Sequence, residues 1–409
     1  MGFKVLIVGC GAQGKVISTY AARSTEVDEV RLSDINLEEC KRHADWLKND
    51  KVSVHRVDAS KTDEVSSLAR GVDVVVNAVL PRFNLNIMDA ALKAGANYID
   101  LAFGEPYENL EKELERNRKF KDAGLTAVTG FGCAPGITNI LAAYAVDKLD
   151  HVNDIVIRLA SMVKVKEQFM KWIPTWSPEL LVADCVGEPV IFQDGEFRKA
   201  PPFSGEETYT FPDPTIGTQT LYYHLHEEPF TLGRFIGKGL KNVYVKKGGP
   251  EITLIKTLWE QGLLSDKPIN VKNVKVTPRD VYLALAPRPI TMDELRQKVE
   301  AGIIADMYFA ILVEVVGEKE GKSEHYILWS VSPKIRDIIK TMPVANTVSY
   351  LTGTICWLMT KQLGKGEIKT KGVITPELLE PAARHKFLED LALQDPPIIV
   401  YERVERRIN

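Results

Sequence analysis

The 409-residue sequence is poor in the features that mark several classes of protein. Cysteine is scarce: Cys10, Cys40, Cys133, Cys185 and Cys356 form an odd, scattered set without a CxxC pair. That spacing excludes a zinc ribbon or dithiol motif and points to reduced thiols in a cytoplasmic protein. No apolar run approaches the ~18 residues of a membrane-spanning helix, so the chain reads as soluble with no membrane partner. The N-terminus enters a strand almost at once, without the basic and apolar regions of a signal peptide. An excess of one charge is lacking too. The 52 Lys and Arg against 55 Asp and Glu give a net charge of −3, which leaves no global field for nucleic acid. Repeats and low-complexity segments are absent. What is present, 45% hydrophobic and 26% charged residues, is the make-up of ordinary globular domains, and the length allows two or three.

Hydrophobic periodicity orders the elements. Residues 3–8 are a short apolar run that stops at Gly9, as a strand buried on both faces of a parallel sheet does. Val16, Ile17, Tyr20 and Ala21 then recur at helical spacing. Further strands are predicted at 29–33, 52–57, 72–76, 98–101 and 126–129, with helices at 36–48, 62–68, 84–94 and 110–123 between them. This alternation predicts βαβ units and a doubly wound α/β sheet. Near residue 150 the pattern changes. Residues 189–192 and 196–198 flank Asp194-Gly195, and 307–316 and 325–330 flank 317–322, which predicts hairpins in an α+β domain with a mixed or antiparallel sheet. Residues 170–249 are rich in Pro, Trp and Gly and read as long functional or interface loops. A helix over 137–149 follows Gly136, and another over 344–363 ends at Gly364.

Gly9-Cys10-Gly11-Ala12-Gln13-Gly14 lies between a predicted strand and a predicted helix, the context in which three glycines signal a dinucleotide. Gly9 permits the turn, Gly11 lets backbone approach a pyrophosphate, and Gly14 lets helix and strand pack closely. Ala12 and Gln13 lie between them, at the helix N-terminus. Asp34, 20 residues beyond Gly14, ends the next strand, where a carboxylate binds ribose hydroxyls and repels a 2′-phosphate. NAD is therefore favoured, with FAD as a rival; Arg31 and Lys41 nearby keep NADP open. Asp58 and Ala59 end the third strand, where they can face the adenine. Asn77, Ala78, Val79 and Leu80 end the fourth, at the carboxyl edge where open sheets bind ligands.

The segments Asn77-Ala78-Val79-Leu80-Pro81-Arg82-Phe83-Asn84, Ala94-Gly95-Ala96-Asn97-Tyr98-Ile99-Asp100-Leu101 and Gly130-Phe131-Gly132-Cys133-Ala134-Pro135-Gly136 together resemble the saccharopine dehydrogenase superfamily. The resemblance is strongest over residues 3–150 and continues to Gly372-Val373-Ile374-Thr375-Pro376-Glu377. It implies an NAD(P)-dependent oxidoreductase acting at a carbon–nitrogen bond of a small amino-acid substrate. It also implies a dinucleotide-binding domain of residues 1–135 plus 344–409, an inserted substrate-binding and dimerisation domain of residues 136–343, and a homodimer. Within the superfamily, Ala134-Pro135-Gly136 looks like the lysine 6-dehydrogenase version of an Asp-Pro-Gly found in the reductases. Trp176-Ser177-Pro178-Glu179 and Gly262-Leu263-Leu264-Ser265 look more like carboxynorspermidine dehydrogenase.

The chemistry needs anchors for a carboxylate and a group that handles the amine proton. Pro135 and Gly136 precede a helix, so the amides of Gly136, Ile137 and Thr138 are expected to cradle a substrate carboxylate or help seat the nicotinamide, with Cys133, Asn139 and Trp172 lining the site. His226, oriented by Glu227, is the expected proton acceptor, and Asp100 at the end of the fifth strand is a further catalytic candidate. His224, His226 and Glu228 would share one face of an extended segment, but no clear third and fourth ligand accompanies them and no metal is expected. Trp176, Tyr107 and Arg82 are weaker candidates, and Lys164 and Lys166 read as a half-exposed strand. The function expected is oxidative deamination of a terminal amine, as in lysine 6-dehydrogenase. Imine reduction, as by saccharopine or carboxynorspermidine dehydrogenases, is the alternative, and a non-catalytic NAD-binding sensor or scaffold is a third.

Overall fold

The computed structural model describes residues 2–104, 108–166, 173–175 and 177–406. The chain begins with β1 (Phe3–Val8), α1 (Ala12–Arg23), β2 (Val27–Asp34), α2 (Leu37–Leu47), β3 (Val52–Arg56), α3 (Thr62–Ala69), β4 (Val74–Asn77), α4 (Asn84–Ala94) and β5 (Asn97–Asp100). It continues through α5 (Glu108–Leu114), α6 (Asn117–Asp122), β6 (Thr126–Val128) and α7 (Ile137–Val146). β1 is buried at all but one position and β4 throughout, which is why they read as continuous apolar runs. One departure concerns the single helix expected over 110–123, which is two. The chain turns at Arg116, whose amide bonds Glu113 O and whose guanidinium closes on Lys112 O and on both oxygens of Asp89 in α4. A tertiary ion pair, invisible in the local periodicity, sets that bend.

The middle of the chain builds β7 (His151–Val165), α8 (Pro178–Val186), β8 (Val190–Gln193), β9 (Glu196–Lys199), β10 (Glu207–Thr210), β11 (Thr218–Tyr223), α9 (Glu228–Phe235), β12 (Asn242–Gly248) and α10 (Pro250–Glu260). Then come β13 (Ile269–Val271), β14 (Val274–Val276), α11 (Pro278–Leu285), α12 (Met292–Glu300), β15 (Ile304–Lys319), β16 (Lys322–Val331) and α13 (Ile335–Thr341). Residues 170–249, expected as long loops, thus hold a succession of short strands and helices. Asp194 and Gly195 both take positive φ, as a two-residue hairpin turn requires. The β15–β16 ladder runs on to Lys319↔Lys322, so the six-residue connection expected at 317–322 shrinks to Glu320-Gly321, again both at positive φ.

The chain then returns through α14 (Thr347–Gly364), β17 (Gly372–Ile374), α15 (Pro381–Ala392) and β18 (Val400–Arg406). Two compact units result: Met1–Lys148, Arg234–Ile236 and Val348–Ile399 in one, and Leu149–Gly233, Gly237–Thr347 and Val400–Asn409 in the other. The first holds a seven-stranded parallel sheet in the order β17-β6-β5-β4-β1-β2-β3, the doubly wound Rossmann arrangement with its switch point between β1 and β4. The second holds a nine-stranded mixed sheet, in which β12 runs parallel to β7 and β15 antiparallel to it.

Beyond Arg234–Ile236, which belongs to the first unit, the unit boundaries differ from 135/136 and 343/344 at α7 and β18. α7 lies in the first unit, tied to the returning segment by Asn139 Nδ2 to Glu377 at 2.9 Å and by an Asp147–Arg384 ion pair. β18 lies in the second, where its backbone completes the outer edge of β16 from Ser330↔Val400 to Glu324↔Arg406.

Candidate active site

The loop from β1 to α1 shows why each glycine is where it is. Gly9 has φ +111°, and a Cβ there would meet Ala78 O at 2.6 Å; a Cβ at Gly14 would overlap Gly9 O. Both glycines let backbone touch backbone. Gly11 is different, since a Cβ there would have nothing within 4 Å. It faces open space at the head of α1. Among the described residues no protein acceptor takes the amides of Gly11, Ala12, Gln13 or Gly14. Gln13 Oε1 is buried without a hydrogen-bond partner. Unclaimed amides at the positive end of a helix dipole, beside an open glycine, are the donors a pyrophosphate needs.

Asp34 closes the next strand, half-buried. Its Oδ2 accepts from Cys10 N at 2.8 Å and its Oδ1 from Asn36 N at 2.9 Å, so the carboxylate is locked beside the glycine loop. The cations that kept NADP open are engaged elsewhere. Arg31 bonds Glu29, Leu68 O and Arg70 O, and Lys41 bonds Glu38. Sequence reading missed Arg56, which lies opposite Asp34 in the β2–β3 register and is exposed. The parallel register that brings it there is not legible in one sequence. Asp58 and Ala59 follow β3 half-buried, with Asp58 Oδ1 accepting from Ser60 N and Ser60 Oγ.

At the ends of β4, β5 and β6, several expected contact residues are buried and hydrogen-bonded within the protein. Asn77 is buried: its Nδ2 bonds Asn84 Oδ1 at 2.8 Å and Tyr98 OH at 3.0 Å, and its Oδ1 accepts from Val79 N at 3.2 Å. It shapes the loop that carries Ala78, Val79 and the exposed Leu80. Asp100, expected as a catalytic candidate, is 1% exposed and accepts from Tyr98 OH at 2.9 Å and Gly130 N at 2.7 Å. The helix start at α7 is likewise not a cradle for a carboxylate. Gly136 N donates to Asn139 Oδ1 at 3.0 Å, and Ile137 N donates to Gly132 O at 3.0 Å. Cys133, Pro135, Gly136 and Asn139 are buried, and Ala134 is the partly exposed residue of that loop. Tyr107, Trp172 and Trp176 lie outside the described residues.

The second unit gathers a separate polar cluster. His224 and Leu225 lead from β11 into α9, which begins at Glu228, so the extended segment expected through 228 ends early. His226 Nδ1 lies 2.8 Å from Glu228 Oε2, so the carboxylate that orients the imidazole is Glu228, where Glu227 was expected. Burial alone would depress His226, but the charge and hydrogen bond of Glu228 outweigh it and raise its pKa. His224 is pushed well below the usual range by burial and by Lys247. Asp184 on α8 is raised by burial, with Lys247 and His226 opposing. Glu227 and Glu251 are buried alongside. Among the described residues no three His, Cys, Asp or Glu side chains are placed to hold a metal ion.

Two family models match this chain end to end: "Saccharopine dehydrogenase NADP binding domain" over residues 5–128 and "Saccharopine dehydrogenase C-terminal domain" over residues 132–394. The chain belongs to the saccharopine dehydrogenase family. It is an NAD(P)-dependent oxidoreductase, and the glycine loop, the open position at Gly11 and the free amides of α1 fit that cofactor. Curated relatives include a carboxyaminopropylagmatine dehydrogenase of Synechocystis sp., 25% identical over 92% of this chain and 93% of the relative. A carboxynorspermidine synthase of Vibrio alginolyticus is 24% identical over 95% and 94%. Among solved structures, apo saccharopine dehydrogenase (L-Glu forming) from Saccharomyces cerevisiae has the same fold, with TM-score 0.70 at 16% identity over 99% of this chain and all of that one. Homospermidine synthase from Legionella pneumophila in complex with NAD gives 0.68 at 14% over 98% and 92%.

Proposed function

We propose that the enzyme reduces an imine formed between a primary amine of a diamine or agmatine-like compound and the side-chain aldehyde of an α-amino acid. The product is a secondary amine that keeps the amino-acid carboxylate. The observation that carries this reading is full-length similarity, 23–25% identity over 92–95% of the chain, to relatives named for such products. The similarity covers the second unit as well as the dinucleotide domain. The bound nicotinamide supplies a hydride to the imine carbon. The protein must then bind a substrate that is cationic at its amines and anionic at its carboxylate. The cluster of the second unit has that mixed character: Asp184, Glu227, Glu228 and Glu251 suit ammonium groups, and Lys247 suits a carboxylate. His226, biased toward its protonated form by Glu228, is the donor for the amine nitrogen, since one hydride and one proton convert C=N to CH–NH.

Oxidative deamination of lysine is the second reading, favoured by Ala134-Pro135-Gly136 in place of an Asp-Pro-Gly. Spectrophotometry at 340 nm distinguishes the two. The imine reading expects oxidation of NADH or NADPH only when an amino-acid aldehyde and a diamine or agmatine are present together. Reduction of NAD by lysine alone would replace it. The same assay reads cofactor choice: Asp34→Ala should favour NADPH, and Arg56→Ala should weaken NADPH more than NADH. Light scattering tests the homodimer expected from the family resemblance.

A further inference from the structure

We infer that Glu113 is a positioning residue that holds the cofactor loop and the Gly130–Gly136 loop in place through a one-proton relay over the Thr129 hydroxyl to Asp100. It rests on the NAD(P) site and is independent of which imine is reduced. Glu113 is fully buried on α5, and nothing in the proposed chemistry uses it. Its Oε1 accepts from Asn84 Nδ2 at 2.8 Å. Asn84 Oδ1 accepts from Asn77 Nδ2, and Asn77 Oδ1 holds Val79 N of the loop after β4. On the other side Glu113 Oε2 meets Thr129 Oγ1, which also lies 3.4 Å from Asp100 Oδ1. Asp100 in turn anchors Gly130 N at 2.7 Å, the start of the loop that carries Cys133 and Pro135. The buried side chains Asn77, Asn84, Glu113, Thr129 and Asp100 therefore connect two loops at the carboxyl edge of the sheet that the chain order separates.

Hydrogen counting shows why a proton matters. A threonine hydroxyl has one hydrogen to give and can accept another. With Glu113 protonated, its O–H donates to Thr129 Oγ1, and Thr129 donates on to Asp100. With Glu113 ionised, the Thr129 hydrogen turns to Glu113 and Asp100 loses that donor. The ionised form thus adds a negative charge to this buried network and turns the Thr129 hydrogen away from Asp100, a costly arrangement. The groups facing the relay agree with a protonated Glu113 at neutrality. Arg116, the nearby cation, is already held by Asp89 of α4. β5 contributes Tyr98 and the Asp100 carboxyl, α4 the neutral Asn84, and α14 the Cys356 thiol near Asp100. Three neighbouring residues of β17, Gly372, Val373 and Ile374, carry no charge. Burial pushes the Glu113 carboxyl up to about 7, with Thr129, Asn84 and Arg116 opposing. The sign follows. The native state holds this proton more tightly than the unfolded chain, so the contribution to stability is complete below the ordinary carboxyl range and is lost as pH rises through about 7.

The test uses the full chain and two readouts that need no turnover: NADH affinity by fluorescence and melting temperature of the apoprotein, each from pH 5.5 to 8.5. The wild type should bind NADH roughly tenfold more weakly at the alkaline end, in a one-proton step near pH 7, and melt lower in parallel. Glu113→Gln keeps both hydrogen bonds in the protonated pattern, because its carbonyl accepts from Asn84 and its amide donates to Thr129. It should remove both steps and keep the tight acidic affinity throughout. Thr129→Ser should behave as wild type, whereas Thr129→Val should weaken NADH at every pH and flatten the profile. A pH step that survives Glu113→Gln, a wild type without a step, or Thr129→Val that lowers melting temperature without touching the NADH profile would each overturn the relay. Loss of NADH binding by the wild type itself would instead count against the cofactor site on which the relay rests.

Discussion

Gly11 and Gly14 sit three residues apart and are required for opposite reasons. At Gly14 a methyl group would collide with the Gly9 carbonyl inside the protein, whereas at Gly11 it would meet only the space a pyrophosphate fills. Gly14→Ala should therefore destabilise the apoprotein, by about 2 kcal/mol or more, because backbone must move to admit it. Gly11→Ala should leave chemical denaturation within about 0.5 kcal/mol of wild type and weaken NAD(P)H binding at least tenfold. Denaturation and fluorescence titration of the two variants check the pair; equal losses of stability would contradict the division. The same residue-by-residue view separates groups that face a ligand from groups that hold them. Asp34 and Arg56 lie opposite each other at the ends of β2 and β3, while Asn77 and Asp100, which sequence reading placed in contact with cofactor and substrate, are buried and hydrogen-bonded to neighbouring side chains and loop amides.

At the level of elements, α1 and α7 both begin just after a glycine, and both read as anion-binding helix starts. Only α1 keeps its amides. α7 folds its own Asn139 and the Gly132 carbonyl onto them, and those acceptors are fixed by tertiary packing with Glu377 from far along the chain. Asn139→Ala should thus cost about 1–3 kcal/mol, through the Gly136 amide left without its acceptor and the lost Asn139–Glu377 hydrogen bond, with little change in NADH affinity. Equilibrium unfolding with a parallel cofactor titration reads both. The alternation of strands and helices, the glycine loop, Asp34 and the hairpin at Asp194-Gly195 were legible in the sequence, because each rests on local periodicity or turn chemistry. The break between α5 and α6, the Glu228 partner of His226 and the role of Glu113 were not. Each depends on a side chain from another element, as Arg116–Asp89 and Glu113–Asn84 show. A signal for Glu113 did exist, since it shares the buried helical face of Leu110, but an isolated glutamate reads as solvated by default.

For the whole molecule, the two units are interleaved along the chain. The dinucleotide sheet needs β17 from beyond residue 370 beside β6, and the mixed sheet needs β18 beside β16. Truncation after Ile399 should bare the β16 edge and remove the Trp329–Tyr401 stack, leaving an unpaired strand prone to aggregation. Light scattering on heating would register it, and a truncated chain as soluble and as stable as the full one would contradict the importance of that edge. The late arrival of β17 also has a consequence for biosynthesis. At roughly 5–20 residues per second, the ribosome needs roughly 12–50 s to pass from β6 to β17. Throughout that interval the nascent nucleotide-binding sheet lacks an edge strand while all of the second unit but its β18 segment is being made. The β6 edge therefore stays unpaired on the nascent chain until β17 is made, which exposes it to the edge-to-edge pairing that folded sheets avoid.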